Sequence, residues 1–188
     1  TYNETISLAN NVILEITGPN AAQNVVIGSL AGVAGTQVIL EGSSTLSIGG
    51  NNNSTTIASL ISGSGNLTKT GTGRLTLTTA NSYVGATLVS QGQLQVTNPS
   101  ALGSTLGGTT VADGARLELI GGITVSGETL TLNGQGGNFF GALQTVSGAN
   151  VWAGNITLGS VDTRIGADAG SLEVSGVISG SQALNVRN

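Results

Sequence analysis

The chain has 188 residues and a formal net charge of −4, with nine acidic side chains, five basic ones, and no Cys, His or Met. It is 38% apolar, almost all of it Ala, Val, Ile and Leu, yet only 7% charged and 3% aromatic. That balance excludes a disordered chain, which combines low hydrophobicity with high charge. It also excludes a phosphate-neutralising nucleic-acid binder, because Lys69, Arg74, Arg116, Arg164 and Arg187 are scattered along the sequence.

Without His or Cys there is no serine or cysteine triad, no HExxH zinc site, no thiolate metal site and no disulfide framework. No apolar run reaches the ~18 residues a membrane-spanning helix needs. The sequence opens on Thr-Tyr-Asn-Glu with no basic-then-apolar leader, and the segment is expected to be excised from a longer array.

Read in chain order, the apolar residues come as short alternating pairs. They are Ile6-x-Leu8, Val12-x-Leu14-x-Ile16, Val25-x-Ile27, Val38-x-Leu40, Leu46-x-Ile48, Leu75-x-Leu77, Leu94-x-Val96, Leu117-x-Leu119, Leu130-x-Leu132, Ile156-x-Leu158 and Leu172-x-Val174. A period of two over three to five residues predicts short half-buried strands. Clusters such as Gly49-Gly50-Asn51-Asn52-Asn53, Gly71-Thr72-Gly73 and Gly134-Gln135-Gly136-Gly137 separate them, supplying residues that tolerate the positive φ of sharp corners.

The step from Leu75 to Leu94 is 19 positions and from Leu94 to Leu117 is 23, with further strands such as Thr87-Leu88-Val89 between. A repeat of roughly 20 residues holding two or three strands is one coil of a solenoid. The chain is therefore expected to be all-β, a single right-handed parallel β-helix over residues 1–188, of roughly eight or nine coils and roughly 40 Å long. An immunoglobulin-like sandwich is the rival, but it uses longer strands and a few large core aromatics, and Trp152 is the only Trp. A longer likeness also runs through the chain. Ile39, Ile48, Ile61 and Leu67 recur as Ile156, Ile165, Ile178 and Leu184, each 117 positions later.

The stretch from Ile61 through Gly63, Gly65, Leu67, Lys69, Gly71, Gly73, Leu75 and Leu77, then Asn81, Tyr83, Gly85 and Thr87, then Gly92 and Leu94, resembles the autotransporter-associated β-strand repeat, also called the passenger-associated transport repeat. That motif runs I-x-G-x-G-x-L-x-K-x-G-x-G-x-L-x-L, then N-x-Y-x-G-x-T, then G-x-L, and it covers residues 61–94. A truncated second copy is expected over residues 178–188, with Gln182-Ala183 in place of Gly-Asn.

The resemblance implies a β-helical passenger of a type V secreted bacterial protein, displayed at the outer-membrane surface or released. A C-terminal outer-membrane barrel elsewhere in the parent would then be its partner, and the repeat would serve secretion and folding, not catalysis. The residues themselves give the motif a physical role. Its glycines allow tight corners, Leu67, Leu75 and Leu77 point inward, and Tyr83 is expected to flank a corner with its hydroxyl in water.

Chemistry is sparse. Paired carboxylates remain conceivable, for instance Asp162 with Asp168, but isolated solvated charges at turns explain the nine acids more simply. No metal or cofactor is expected, because Gly134-Gln135-Gly136-Gly137-Asn138 lacks the aspartate of a calcium-binding β-roll. Scattered Thr-x-Thr pairs do not make the flat array of an ice-binding face. The chain is thus expected to be non-catalytic, a stalk supporting folding and display. The alternatives are an adhesin module for a host glycan or matrix protein, a secreted fibre or ice-binding protein, and a polysaccharide-acting enzyme. Phe139, Phe140 and Trp152 are the candidate ligand contacts, with a core or end-packing role as the simpler alternative, and open solenoid ends raise end-to-end self-association.

Overall fold

The computed structural model describes residues 2–17 and 23–187. Thr1 and Asn188, the outer limits of the expected segment and of its second repeat copy, lie outside them. The described chain is a parallel β-helix of about eight turns. Every strand pair is parallel, and each strand bonds to the strands one turn below and one turn above.

Three faces enclose the axis. The first face carries the leading half of Asn24–Gly32, then Thr45–Ile48, Asn66–Lys69, Thr87–Val89, Thr109–Val111, Leu130–Leu132, Ile156–Leu158 and Ile178–Ser179. The second starts with Tyr2–Leu8 and the trailing half of Asn24–Gly32. It continues through Thr55–Ile57, Arg74–Leu77, Gln93–Val96, Arg116–Ile120, Leu143–Ser147, Thr163–Ala167 and Leu184–Arg187. The third is built of Ile13–Ile16, Gln37–Leu40 and Leu60–Gly63, and higher up of Thr124–Val125, Ala149–Trp152 and Ser171–Val174. Between those two groups the third face has no regular strand. Backbone hydrogen bonds still carry the stack, from the Ser82 N–H to the Ile61 carbonyl at 2.9 Å, Val84 to Gly63 at 2.9 Å, and Ser104 to Tyr83 at 2.8 Å.

Alternation decides which side chains meet on the axis, because successive residues of a strand point to opposite sides of its sheet. On the first face one inward ladder reads Ile27, Ile48, Lys69, Val89, Val111, Leu132 and Leu158, each stacked on the last. All seven are buried, six of them aliphatic. On the second face Leu75, Leu94, Leu117, Leu143 and Ile165 stack in the same way. Small aliphatic residues suffice because the core is a thin column, each layer being filled by one turn.

The register advances by 20 to 22 residues per turn from Val25 through Leu46, Leu67, Thr87 and Thr109 to Leu130, then by 26 to Ile156. The 117-residue likeness does not follow this register. Leu67 stands on the first face and Leu184 on the second, and Ile61 on the third face answers to Ile178 on the first. The two segments are similar in sequence and one face apart in the helix.

Burial on the axis makes a sharp prediction. Leu94 is fully buried, whereas Leu88, on the outward side of a strand in the same turn, is 38% exposed. Leu94→Ala should cost about 2–5 kcal/mol in denaturant-induced unfolding, transfer and cavity terms together. Leu88→Ala should stay within about 0.5 kcal/mol.

Candidate functional site

The motif residues gather into two adjoining turns. Leu67, Leu75, Leu77 and Leu94 lie on the axis, and Ile61 is buried on the third face below. Leu67 stacks on Thr87, and Leu75 on Leu94. Two columns of glycine turn the corners. The space a Cβ on Gly71 would need is filled by the Gly49 carbonyl oxygen, and the Gly71 carbonyl oxygen in turn lies 2.5 Å from where a Gly92 Cβ would sit. Gly85 lies on the Gly65 carbonyl and Gly107 on the Gly85 carbonyl in the same fashion. Gly63 and Gly73 are also closed off by backbone of the preceding turn. Any side chain at these points would separate the turns.

Asn81 joins three turns with one side chain. Its Oδ1 accepts the Ile61 N–H at 2.8 Å from the turn below, and its Nδ2 donates to the Ala101 carbonyl at 2.6 Å in the turn above. It replaces strand hydrogen bonds where the third face has no strand.

Lys69 occupies a core position between Ile48 and Val89 and is 1% exposed. A buried ammonium is costly unless all its protons are bonded. Lys69 Nζ donates to three backbone carbonyls, Thr70 at 2.5 Å, Gly71 at 2.8 Å and Gln91 at 3.2 Å. The side chain thus leaves the apolar column at its tip and ties the first-to-second-face corner of its own turn to that of the next. Burial brings its pKa down to about 8, so the three carbonyls face an ammonium at neutral pH.

Tyr83 departs from the sequence expectation. Its hydroxyl is not in water: the residue is fully buried, and the hydroxyl shares a 2.6 Å hydrogen bond with Thr87 Oγ1. Burial, with the nearby Glu128 carboxylate adding to it, pushes the phenol pKa well above its ordinary value. Room for the ring exists because the stacked position above is Gly103, where a Cβ would stand 3.0 Å from the ring carbons. One turn up from Thr87, Thr109 Oγ1 donates to Glu128 Oε1 at 2.8 Å. Glu128 is 3% exposed, and burial raises its pKa against the opposing effect of that hydrogen bond. Sequence reading missed these two internal polar pairs, which strand stacking of Thr87 under Thr109 sets one above the other.

The three candidate aromatic contacts separate. Trp152 is fully buried on the third face, stacked between Val125 and Val174, so it has no surface to offer a ligand. Phe140 is half-buried, with the Arg116 and Arg187 guanidinium groups 5.0 Å and 4.6 Å from its ring centre. Phe139 is 64% exposed. Asp162 and Asp168 do not meet either: Asp168 bonds Arg187 at 3.3 Å, and Asp162 shares a cavity with Asp113. Among the described residues no group of three or more acidic side chains is placed to hold a metal ion.

Residues 67–96, which contain the lysine corner, Gly71, Gly73, Gly85 and Gly92 of the glycine corners, Asn81 and Tyr83, match the family model described as Passenger-associated-transport-repeat. That stretch of the chain is similar to the repeat. The match starts at Leu67 and not at Ile61, and runs to Val96. A curated relative, the Adhesin BmaC autotransporter of Brucella suis biovar 1 (strain 1330), is 38% identical over 93 residues. That alignment takes in 50% of this chain and 3% of the relative, so the chain spans only a small fraction of the length of the protein it resembles. No solved structure matches the chain significantly.

Lys69 is the only lysine in the sequence, which makes the transport-repeat corner directly measurable. In the folded protein an amine-reactive ester should leave Lys69 unmodified, with labelling appearing only on unfolding. Its folded pKa near 8 lies below the ordinary lysine value of 10.5, so between those pH values the unfolded chain holds more protons than the folded one. Linkage then requires the Lys69 contribution to stability to rise with pH across that window. Lys69→Met leaves three carbonyls without the ammonium and should cost about 1–3 kcal/mol at pH 7. Its deficit against wild type, read by denaturant titration, should widen from pH 8 to pH 10.

Proposed function

We propose that this chain is a non-catalytic length of an autotransporter passenger, a β-helical stalk whose transport repeat helps the passenger fold and be displayed on the bacterial outer-membrane surface. The observation that carries the reading is the Lys69 corner within residues 67–96. A core lysine with three backbone acceptors drawn from two successive turns is bonded only when those turns are in register.

A passenger that crosses a membrane unfolded must find its first correct pair of turns before others can stack on them. Forming non-local strand pairs carries a loop-closure cost, which a locally over-determined turn helps to offset. Low charge supports the same role, since a chain that is 7% charged carries few desolvation barriers through a pore. The partner implied is a C-terminal outer-membrane barrel of the parent protein. That the relative is an adhesin autotransporter extends the reading to a stalk that presents or contributes to an adhesive surface.

The stacking register supplies a clean experiment in the full-length parent. Deleting residues 67–108 joins Asn66 to Thr109, which stands two turns above Leu67 on the same ladder. Deleting residues 25–66 removes an equal length and joins Asn24 to Leu67, again in register. Surface display, read by protease accessibility on intact cells, should fall several-fold in the first deletion and be largely kept in the second. Equal display from both would remove the export role from the transport repeat and leave only a stalk.

A further inference from the structure

The turn that begins at Leu130 is longer than the others, and its extra residues lie in the corner between Leu130–Leu132 on the first face and Leu143–Ser147 on the second. They do not pack on the axis. With the neighbouring corners they enclose an open cavity of about 520 Å³, lined by Asp113, Gly134 to Phe139, and Ser160 to Asp162. We propose that this corner cavity binds a neutral saccharide unit, with Phe139 as the stacking platform and Asp113 and Asp162 as the hydroxyl acceptors.

Phe139 is the leading observation. Its φ is +61°, a region that a bulky side chain rarely adopts, yet the strain gains no burial, since the residue is 64% exposed. The backbone around it is fixed: Arg164 Nη1 donates to the Phe139 carbonyl at 2.8 Å, and the Phe139 N–H donates to the Gly136 carbonyl at 3.1 Å. Its neighbour Phe140 already fills the packing role between two guanidinium groups. A rigid ring presented to water at the edge of a cavity offers a flat apolar surface, and the C–H face of a pyranose is the complementary surface.

The polar part of the cavity specifies the rest. Asp113 and Asp162 are both exposed, and neither forms an ion pair among the described residues. Carboxylates that keep free lone pairs accept strong hydrogen bonds from hydroxyl groups. Asn138 and Gln135 add amide donors and acceptors along the same wall. Among the described residues no Lys or Arg lines the cavity, and the Arg164 guanidinium beside it is engaged with the Phe139 carbonyl, so a uronate or a sialic acid would meet the two carboxylates first. The volume lies within the ~300–1,000 Å³ of ordinary small-molecule sites. One aromatic platform, two acceptors and a few amides are the complement of a neutral hexose or N-acetylhexosamine.

The test is a glycan array of neutral, sialylated and uronate-bearing oligosaccharides, probed with the full chain in the presence of EDTA and followed by titration of the neutral glycans retained. Neutral glycans should be bound and acidic ones not. Phe139→Tyr, which keeps the ring, should retain binding. Phe139→Leu, and Asp113→Asn combined with Asp162→Asn, should each weaken it by at least about tenfold, which is ~1.4 kcal/mol. Asn tolerates the left-handed backbone at position 162, so the double variant should fold, and unchanged thermal unfolding of each variant confirms that the loss is local. Retention of no neutral glycan, equal binding by Phe139→Leu, or binding that appears only when EDTA is replaced by calcium would overturn the assignment.

Discussion

Each side chain in this molecule stands about 4.8 Å above its counterpart from the turn before, so every position must tolerate its own neighbours twice, below and above. That stacking rule explains most of the composition. Aliphatic residues stack on aliphatic residues without orientation demands, which is why Leu75, Leu94, Leu117 and Leu143 can follow one another in one column. At the corners the turns approach so closely that a carbonyl of one fills the Cβ space of the next, as in Gly49, Gly71 and Gly92. A large ring is admitted only where its stacked neighbour gives way, as Gly103 does above Tyr83.

The polar residues that break this rule are concentrated in the transport repeat and the turn above it. Lys69 interrupts an aliphatic ladder, Thr87 and Thr109 interrupt its companion, and Tyr83 and Glu128 bond to those two threonines. An all-aliphatic column is nearly as content one turn out of register, because Leu on Leu does not record which turn it belongs to. A buried ammonium or hydroxyl does record it, since a slipped turn leaves it without acceptors. The second face carries a comparable chain on its outer side. Thr76 donates to Gln95, Gln95 to Glu118, and Arg116 bridges Glu118 and Gln144. Register is thus fixed from inside and outside over the same stretch.

How much of this was legible in the sequence depends on distance along the chain. Alternation in Leu75-x-Leu77 or Leu130-x-Leu132 is a local signal, and it located these strands and their inward residues; the short spacing between such pairs gave a parallel β-helix of about eight turns. Facts that need the adjacent turn were not legible. Tyr83 reads locally as a wet corner tyrosine, and only Gly103 above it shows that the ring is housed inside. Trp152 reads as either a ligand contact or a core ring, and only the turns on both sides decide it, with Val125 below and Val174 above in a buried column. The 117-residue likeness misled for the same reason: it matches motif spacing while ignoring which face each residue falls on. Phe139 and Phe140 are identical letters with opposite fates, decided by a left-handed φ at the first and by two arginines from other turns at the second.

The stacking rule also says where such a rod can acquire chemistry. Residues on the axis are constrained from both sides, and residues on the flat outer faces are constrained by the ladder to which they belong. A corner has neither constraint, provided the chain returns in register. The long turn shows this. After the extra residues, Leu143 stacks on Leu117 and Ile156 on Leu130, so both columns resume, with a one-residue shift of register only at the end of the second-face strand, where Ile120 pairs with Ser147. The length is expelled sideways, and with it go a strained aromatic and several glycines, which face carboxylates supplied by the corners one turn below and one turn above. Strain that would be fatal in the column costs little there, because the turns on either side hold the entry and exit points fixed. In a solenoid the column sets stability and register, and a corner insertion is where a new binding surface can be added without altering either.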